Sequence, residues 1–404
     1  MTSFQEMTFS ELLSDAEVFV DGDWVESKDQ DPNGDVRLIQ LADIGDGFYI
    51  DKSSRFLNSE TAKRLKCTYL KEGDILVARM PDPLGRACIF PKSDMPCVTV
   101  VDVCIIRPNQ NKVDNRWLMH TINSPVMRQR INEYVTGTTR QRISRGNFSK
   151  LKVSVPPLEE QRRIASILDQ ADELRQKRQQ AIEKLDQLLQ ATFIDMFGDP
   201  VSNPKGWRSD KNLGDVSDIV SGITKGRKIT GKSLREIPYL AVSNVQDKYL
   251  NLSIIKTIEA SDDEIERYRL KQGDLLLTEG GDPDKLGRGT LWNNEVDECI
   301  HQNHVFRVRL TSKEFTPNYL NWIVGSEYGK RYFLKSAKQT TGIASINMGQ
   351  LKKLPLLTPP LDLQIQFDER CIKIHQIKNQ LVDSYKDINH LFSSLQNQAF
   401  NGTL

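Results

Sequence analysis

A chain of 404 residues with 38% hydrophobic and 27% charged side chains is long enough for two or more domains, each with its own core. No apolar run approaches the ~20 residues of a membrane span. The formal net charge of +1 by itself argues against nucleic acid as a partner, and six cysteines without a CxxC spacing or a companion His pair argue against a zinc site or a disulfide framework. The opening stretch MTSFQEMTFSELLSDAE is acidic and polar and reads as neither a signal nor a transit peptide, so a cytoplasmic protein is expected.

Taken in order, the first third predicts strands at RLIQLADI (37–44), at both ends of LKEGDILVARMPDPLGRA (70–87) and at VDVCIIRPN (101–109). A helix opens at Arg116-Trp117-Leu118. A basic stretch at 127–152 follows, with seven Lys/Arg against one Glu. ISRGNFSKLKVSVPPLEEQ (143–161) then leads into a helical pattern with no Gly or Pro for about 35 residues, which stops at FGDPVSNPKGW (197–207). Proline suits a helix start because its missing N–H would be unpaired there anyway.

From there the chain repeats itself. PYLAVSNV (238–245), LKQGDLLLTEGGDPDKLGRG (270–289), NHVFRVRLT (303–311), Asn318-Tyr319-Leu320 and INMGQLKKLPLLTPPLDLQ (346–364) answer the earlier segments at an offset that drifts only from about 200 to 203. A second basic stretch at 325–353 holds six Lys/Arg against one Glu. The loop SGITKGRKITGK (221–232), with four basic residues, has no evident counterpart in the first repeat.

Both long helices carry a heptad seam. Ile164, Leu168, Ala171, Arg175, Arg178, Ile182, Leu185, Leu189, Thr192 and Met196 alternate at spacings of four and three. Phe367, Cys371, Ile374, Lys378, Leu381, Tyr385, Ile388, Phe392, Leu395 and Ala399 repeat the pattern 203 residues later. At 1.5 Å per residue each helix would run roughly 50–60 Å. Each has the other as its mate of matching length, and chain order favours an antiparallel pair. The expected fold is α+β: two mixed α/β domains joined by two long helices in an antiparallel coiled coil, pseudo-two-fold symmetric. The expected division is 1–156, 157–197, 198–358 and 359–404.

No catalytic constellation emerges. The stretch 280–287 is glycine-rich and holds a lysine, but lacks the Gly-Lys-Ser/Thr ending that cradles phosphate. TPPL (358–361) lacks the aromatic residue and cofactor loop of an amino-methyltransferase. The histidines (His120, His301, His304, His375, His390) form no triad or metal set, although His301 and His304 could share a face. No metal and no cofactor are therefore expected on this chain.

Two similar heads on a spacer suit an extended partner with two half-sites, and double-stranded DNA fits. Arg79, Arg86, Arg140, Arg142 and Arg288 can fork onto guanine or phosphate; Lys225, Arg227 and Lys228 form a basic loop. Gln302 and Asn303 can read adenine, and Thr139, Thr340, Thr341 and Asn347 can bond phosphates or bases. The other reading is a non-catalytic two-headed adaptor rod whose heads bind protein.

The series PPLEEQ, long helix, FGDP, with GDILVARMPDPLGR and its twin and TPPLDLQIQFDE opening the last helix, resembles the specificity subunits of type I restriction–modification systems over nearly the whole chain. The resemblance implies two target recognition domains, each reading half of a bipartite DNA sequence. It implies a helical ruler that docks two adenine-N6 methyltransferase subunits, which carry S-adenosylmethionine, and restriction subunits that cleave DNA using ATP. The chain itself would then hold no catalytic residue. With the basic loop in one head only, the target would be asymmetric.

Overall fold

The computed structural model describes residues 4–137, 141–227, 233–281, 285–340 and 343–404. The chain divides into two compact units, Met1–Gln180 with Asp383–Leu404, and Ala181–Val382. Each long helix therefore gives one end to each unit.

In the first unit a four-stranded antiparallel sheet runs in the order Val18–Asp21, Val103–Arg107, Ile75–Ala78, Ala87–Ile89. A three-stranded sheet places Val36–Ile39 between Phe56–Leu57, antiparallel, and Cys97–Thr99, parallel. Gln5–Thr8 pairs with Lys152–Val155. The second unit repeats all three: Ser217–Ser221, Val305–Leu310, Leu275–Thr278, Gly289–Leu291; then Leu234–Leu240 between Lys256–Ser261 and the parallel Ile300–His301; then Arg208–Asn212 with Pro355–Thr358. Among the described residues only the second unit adds a small sheet, Gly280–Gly281, Ile343–Ser345 and Lys338–Thr340.

The repeated words KxGD and LGR are structural for identifiable reasons. Gly73 and Gly273 sit at φ +89° and +87°, left-handed backbone that favours glycine. The next residue turns back: Asp74 accepts from Lys71 N at 2.8 Å and Asp274 from Lys271 N at 2.7 Å. Both carboxylates are buried, and each is met by a two-pronged guanidinium, Arg107 at 2.7 and 2.8 Å and Arg309 at 2.7 and 2.7 Å. A buried charge is tolerated on those terms. Gly85 and Gly287 are also left-handed, and a Cβ there would lie 2.5 Å from Ile131 or 2.3 Å from Phe333.

The long helices span Leu158–Phe197 and Leu361–Asn401. Their starts are anchored identically. Gln161 Oε1 accepts from Asp114 N (2.9 Å) while its amide donates to Lys112 O (3.1 Å) and Pro156 O (2.9 Å). Gln364 Oε1 accepts from Thr316 N, and its amide donates to Glu314 O and Pro359 O, all at 3.0 Å. Asp114 and Thr316 cap the helices Asn115–Asn123 and Pro317–Gly325, so each glutamine ties a long helix to the helix that covers its sheet.

The predicted seam faces inward. In the first unit Ile164, Leu168, Phe392 and Ala399 belong to the core, with Ala171 and Leu395 packed against it. In the second, Leu189, Met196, Phe367 and Cys371 do so, with Ile374 alongside. Ile182 is buried, and Leu185, Leu381, Tyr385 and Ile388 are half-buried. The helix segments run antiparallel in both units. Arg163 donates to Leu404 O (2.8 Å) and the Arg175 guanidinium lies 4.7 Å over the Phe392 ring in one; Phe193 stacks edge-on to Phe367 (5.6 Å) and Lys378 meets Asp186 (2.5 Å) in the other. Arg175 and Lys378, at equivalent seam positions, thus find a ring and a carboxylate, respectively.

Replacing Gln161 or Gln364 by leucine strands three backbone groups that are buried or partly buried. Each substitution is expected to cost about 2–3 kcal/mol, read as a lower denaturation midpoint with the other unit's transition unmoved. His301 adds a pH signature. It is wholly buried, its Nδ1 bonds Val305 O at 2.7 Å, and burial pushes its pKa down to about 4. Between the ordinary value near 6.5 and about 4 the unfolded chain binds the proton and the folded one does not, so stability falls as pH falls through that window. The equivalent in the first unit is Thr99, which does not titrate. Denaturation followed from pH 7 to 4 should therefore show an acid loss that His301→Asn reduces, the remainder including His375, whose pKa burial also lowers.

Candidate nucleic-acid interface

At one end of each four-stranded sheet, four loops meet. In the first unit Gly22 N bonds Val103 O (2.8 Å), Asp23 bridges Val100, Arg79 N bonds Asp102 O (2.9 Å) and Ile143 N bonds Arg79 O (3.1 Å). In the second, Asn303 N bonds Ile223 O (3.0 Å), Ile223 bridges Gln302, Glu279 N bonds His304 O (3.1 Å) and Ile346 N bonds Glu279 O (2.9 Å). The same backbone hub is built twice, and the loops that leave it carry nearly all the predicted contact residues.

The hub corrects one expectation. The loop 221–232 has a counterpart, because Val18–Asp21 and Ser217–Ser221 hold the same edge position in their sheets. Gly22 and Gly222 press against the same neighbouring chain, where a Cβ would meet a carbonyl oxygen at 2.3 Å or 1.9 Å. What differs is charge. Residues 22–35 carry Asp23, Glu26, Asp29, Asp31 and Asp35 against Lys28, whereas 222–233 carry Lys225, Arg227, Lys228 and Lys232 with no acid. Alignment by residue type hid the equivalence; strand pairing reveals it.

Four other expectations change because the side chains are engaged inside the unit. Arg79 is buried, donates to Val101 O (2.5 Å) and Ile143 O (3.5 Å), and lies 3.3 Å from Asp21, so it ties the hub loops together. Arg86 is buried and donates to Ile44 O, Leu41 O, Met80 O and Pro83 O at 2.6 to 3.1 Å; burial lowers its pKa. Arg227 grips Glu264 at 2.6 and 2.8 Å and holds that carboxyl down at about 2. Asn347 caps the helix Met348–Lys352, accepting from Gln350 N at 2.9 Å. Carbonyls and carboxylates presented by the fold compete with any external partner for these donors.

The remainder lie at the hub or beside it. Arg142 is exposed next to its bridge with Thr136. Lys225 is exposed, with its ammonium 5.2 Å from the Tyr239 ring. Gln302 and Asn303 are half-buried in the hub loop, Arg288 is half-buried after Gly287, and Thr340 ends the small sheet. Thr139, Arg140, Lys228 and Thr341 lie outside the described residues. Sequence reasoning missed the exposed pair Glu279–His304 (Nδ1 to Oε2, 2.9 Å) and the exposed Trp24, bonded to Glu26 (3.2 Å). The only signal for the first was position: Glu279 answers Arg79. Among the described residues no group of His, Cys, Asp and Glu has metal-holding geometry.

A family model described as the type I restriction modification DNA specificity domain matches residues 10–184 and again 204–382. The StySPI specificity subunit of a type I restriction enzyme from Salmonella potsdam is 25% identical over 316 residues, 74% of this chain and 67% of that protein. The EcoKI specificity subunit of Escherichia coli K12 is 24% identical over 322 residues, 74% and 68%. In fold, the chain is similar to the S subunit of a type I restriction–modification system from M. genitalium, with a TM-score of 0.55 at 13% identity over 99% of this chain and 96% of the other. A chain from a structure of the type I R-M system's complex assembly gives the same TM-score at 17% identity over 100% and 98%.

Internal and outward arginines should separate experimentally. Arg86→Leu removes the guanidinium from four carbonyls, leaving those of Ile44 and Met80 without it while Leu41 O keeps Ile44 N (3.2 Å), and is expected to cost about 2–3 kcal/mol. Arg142→Ala should change stability by less than about 0.5 kcal/mol yet weaken duplex DNA binding. Paired denaturation and gel-shift titrations check both.

Proposed function

Because the chain belongs to the type I restriction–modification DNA specificity family, we propose that it recognises a bipartite, asymmetric site on double-stranded DNA and docks two adenine-N6 methyltransferase subunits. It is a specificity subunit, the non-catalytic member of such a system, with two target recognition domains. The observation that carries the DNA reading is the duplicated hub. One backbone frame is kept while the loops leaving it differ in charge and residue type, the arrangement needed to read two different half-sites. Within the edge-strand loops, phosphate contacts would come from the second unit, whose loop is basic, whereas the first unit's is acidic.

Docking of the modification subunits is supported by the helices. Leu174 and Leu391 each precede a seam residue of the Arg175–Phe392 pair, and both are about half exposed, at 46% and 54%. In the second unit Leu188 and Ile377, the repeat counterparts of Leu391 and Leu174, are exposed to 48% each. In an antiparallel pair the positions just before the seam on each helix flank the same edge, so each unit presents an apolar pair where salt bridges are usual. Two equivalent pairs suit two copies of one partner. S-adenosylmethionine would reside on those partners, restriction subunits would join them, and the setting is the cytoplasm. No helix among the described residues is long and apolar enough to cross a membrane.

Co-expression with the modification subunits in cells, followed by sequencing of methylated adenines, tests the whole reading. One new bipartite motif is expected, with none from the chain alone. Leu174→Asp with Leu391→Asp should release one of the two modification subunits and lower methylation while changing the unfolding free energy by less than about 0.5 kcal/mol. Binding of all duplexes alike, with no modified motif, would instead favour a protein-binding adaptor.

A further inference from the structure

The residue that ends the central strand of the four-stranded sheet has opposite fates in the two units. In the first it is Arg79, turned inward onto Asp21 and the carbonyls of Val101 and Ile143. In the second the strand Leu275–Thr278 is followed by Glu279, and the residue in Asp21's place is Ser221, which bonds Asn303 O instead. The tying that Arg79 performs passes to the small sheet, where Gly280–Gly281 pairs with Ile343–Ser345. The Glu279 side chain does not turn inward onto the edge strand as Arg79 does. Its side chain is one-third exposed, and its Oε2 is held by His304 Nδ1 at 2.9 Å.

A carboxylate among loops that approach DNA is repelled by phosphate, and it gains from being there when it accepts a hydrogen bond from a base. Two base amino groups donate in the major groove, cytosine N4 and adenine N6, and a carboxylate favours cytosine N4 because the adenine N7 acceptor beside N6 repels it. On the DNA-binding reading above, we propose that Glu279 is a specificity-determining residue of the second unit, accepting from cytosine N4 through Oε1, and that His304 is its positioning residue. The imidazole with Nδ1–H on Oε2 fixes the carboxylate plane, and Asn303 Nδ2, 3.4 Å from Nε2, supports that tautomer.

The test uses the full chain with its modification subunits and reads methylated adenines across the host genome. Glu279→Gln offers the amide that pairs with adenine N6 and N7, so one C·G position in one half of the motif should shift toward A·T, with discrimination for C·G falling about tenfold. His304→Leu should relax the same position, and His304→Asn, which keeps a donor near the place of Nδ1, should restore it. A merely structural histidine would lower methylation everywhere without changing the motif. Retention of the parental motif by both Glu279→Gln and His304→Leu, or changes in both halves, would overturn the assignment. A parental chain that yields no bipartite motif would overturn it together with the DNA reading beneath it.

Discussion

The glutamine at the start of each long helix is the contact on which the architecture rests. Gln161 and Gln364 each satisfy one backbone donor and two backbone acceptors in buried surroundings, at the place where a proline pair has left the chain short of N–H groups. A side-chain amide is the group that can supply both a carbonyl and an NH2 there. By joining the long helix to the helix that covers the sheet, it aligns seam residues such as Ile164 and Phe367 with the core of their units. The PPLxxQ words therefore encode a joint as well as a helix start.

Above that joint, the fold separates frame from surface. Asp74–Arg107 and Asp274–Arg309 hold the strand turns from inside, and the glycines of LGR admit Ile131 and Phe333. The aspartates and glycines are buried and the two arginines half-buried, so a change at one member of a pair leaves its partner unmatched. The loop tips face no such constraint. Residues 22–35 and 222–233 leave the same edge strand with opposite charge, and Arg79 and Glu279 leave the same central strand, one inward and one outward. A frame that tolerates such exchanges can change what it reads without refolding.

Much of this was legible in the sequence, and the reasons are physical. Repeated hydrophobic spacing revealed the two units and the seam, since burial on one helix face or sheet face imposes a period that a reader can count. Ile164, Leu168, Leu189, Phe367 and Phe392 all lie where that period puts them. The contact residues were less legible. Arginine looks the same in a sequence whether it faces solvent or a ring of carbonyls, so Arg79 and Arg86 read as surface tools although both are buried.

What the sequence determined by itself was duplication, helix length, the seam and the turn words, all properties of local spacing and of residues that recur at a fixed offset. What only the tertiary structure decided was which polar side chains remain available. It matched the acidic loop of one unit to the basic loop of the other through strand position, occupied Arg86, Arg227 and Asn347 with internal partners, and left Glu279 and His304 outward. A polar group's function depends on which partner reaches it first, and partners distant in sequence meet only in the folded chain.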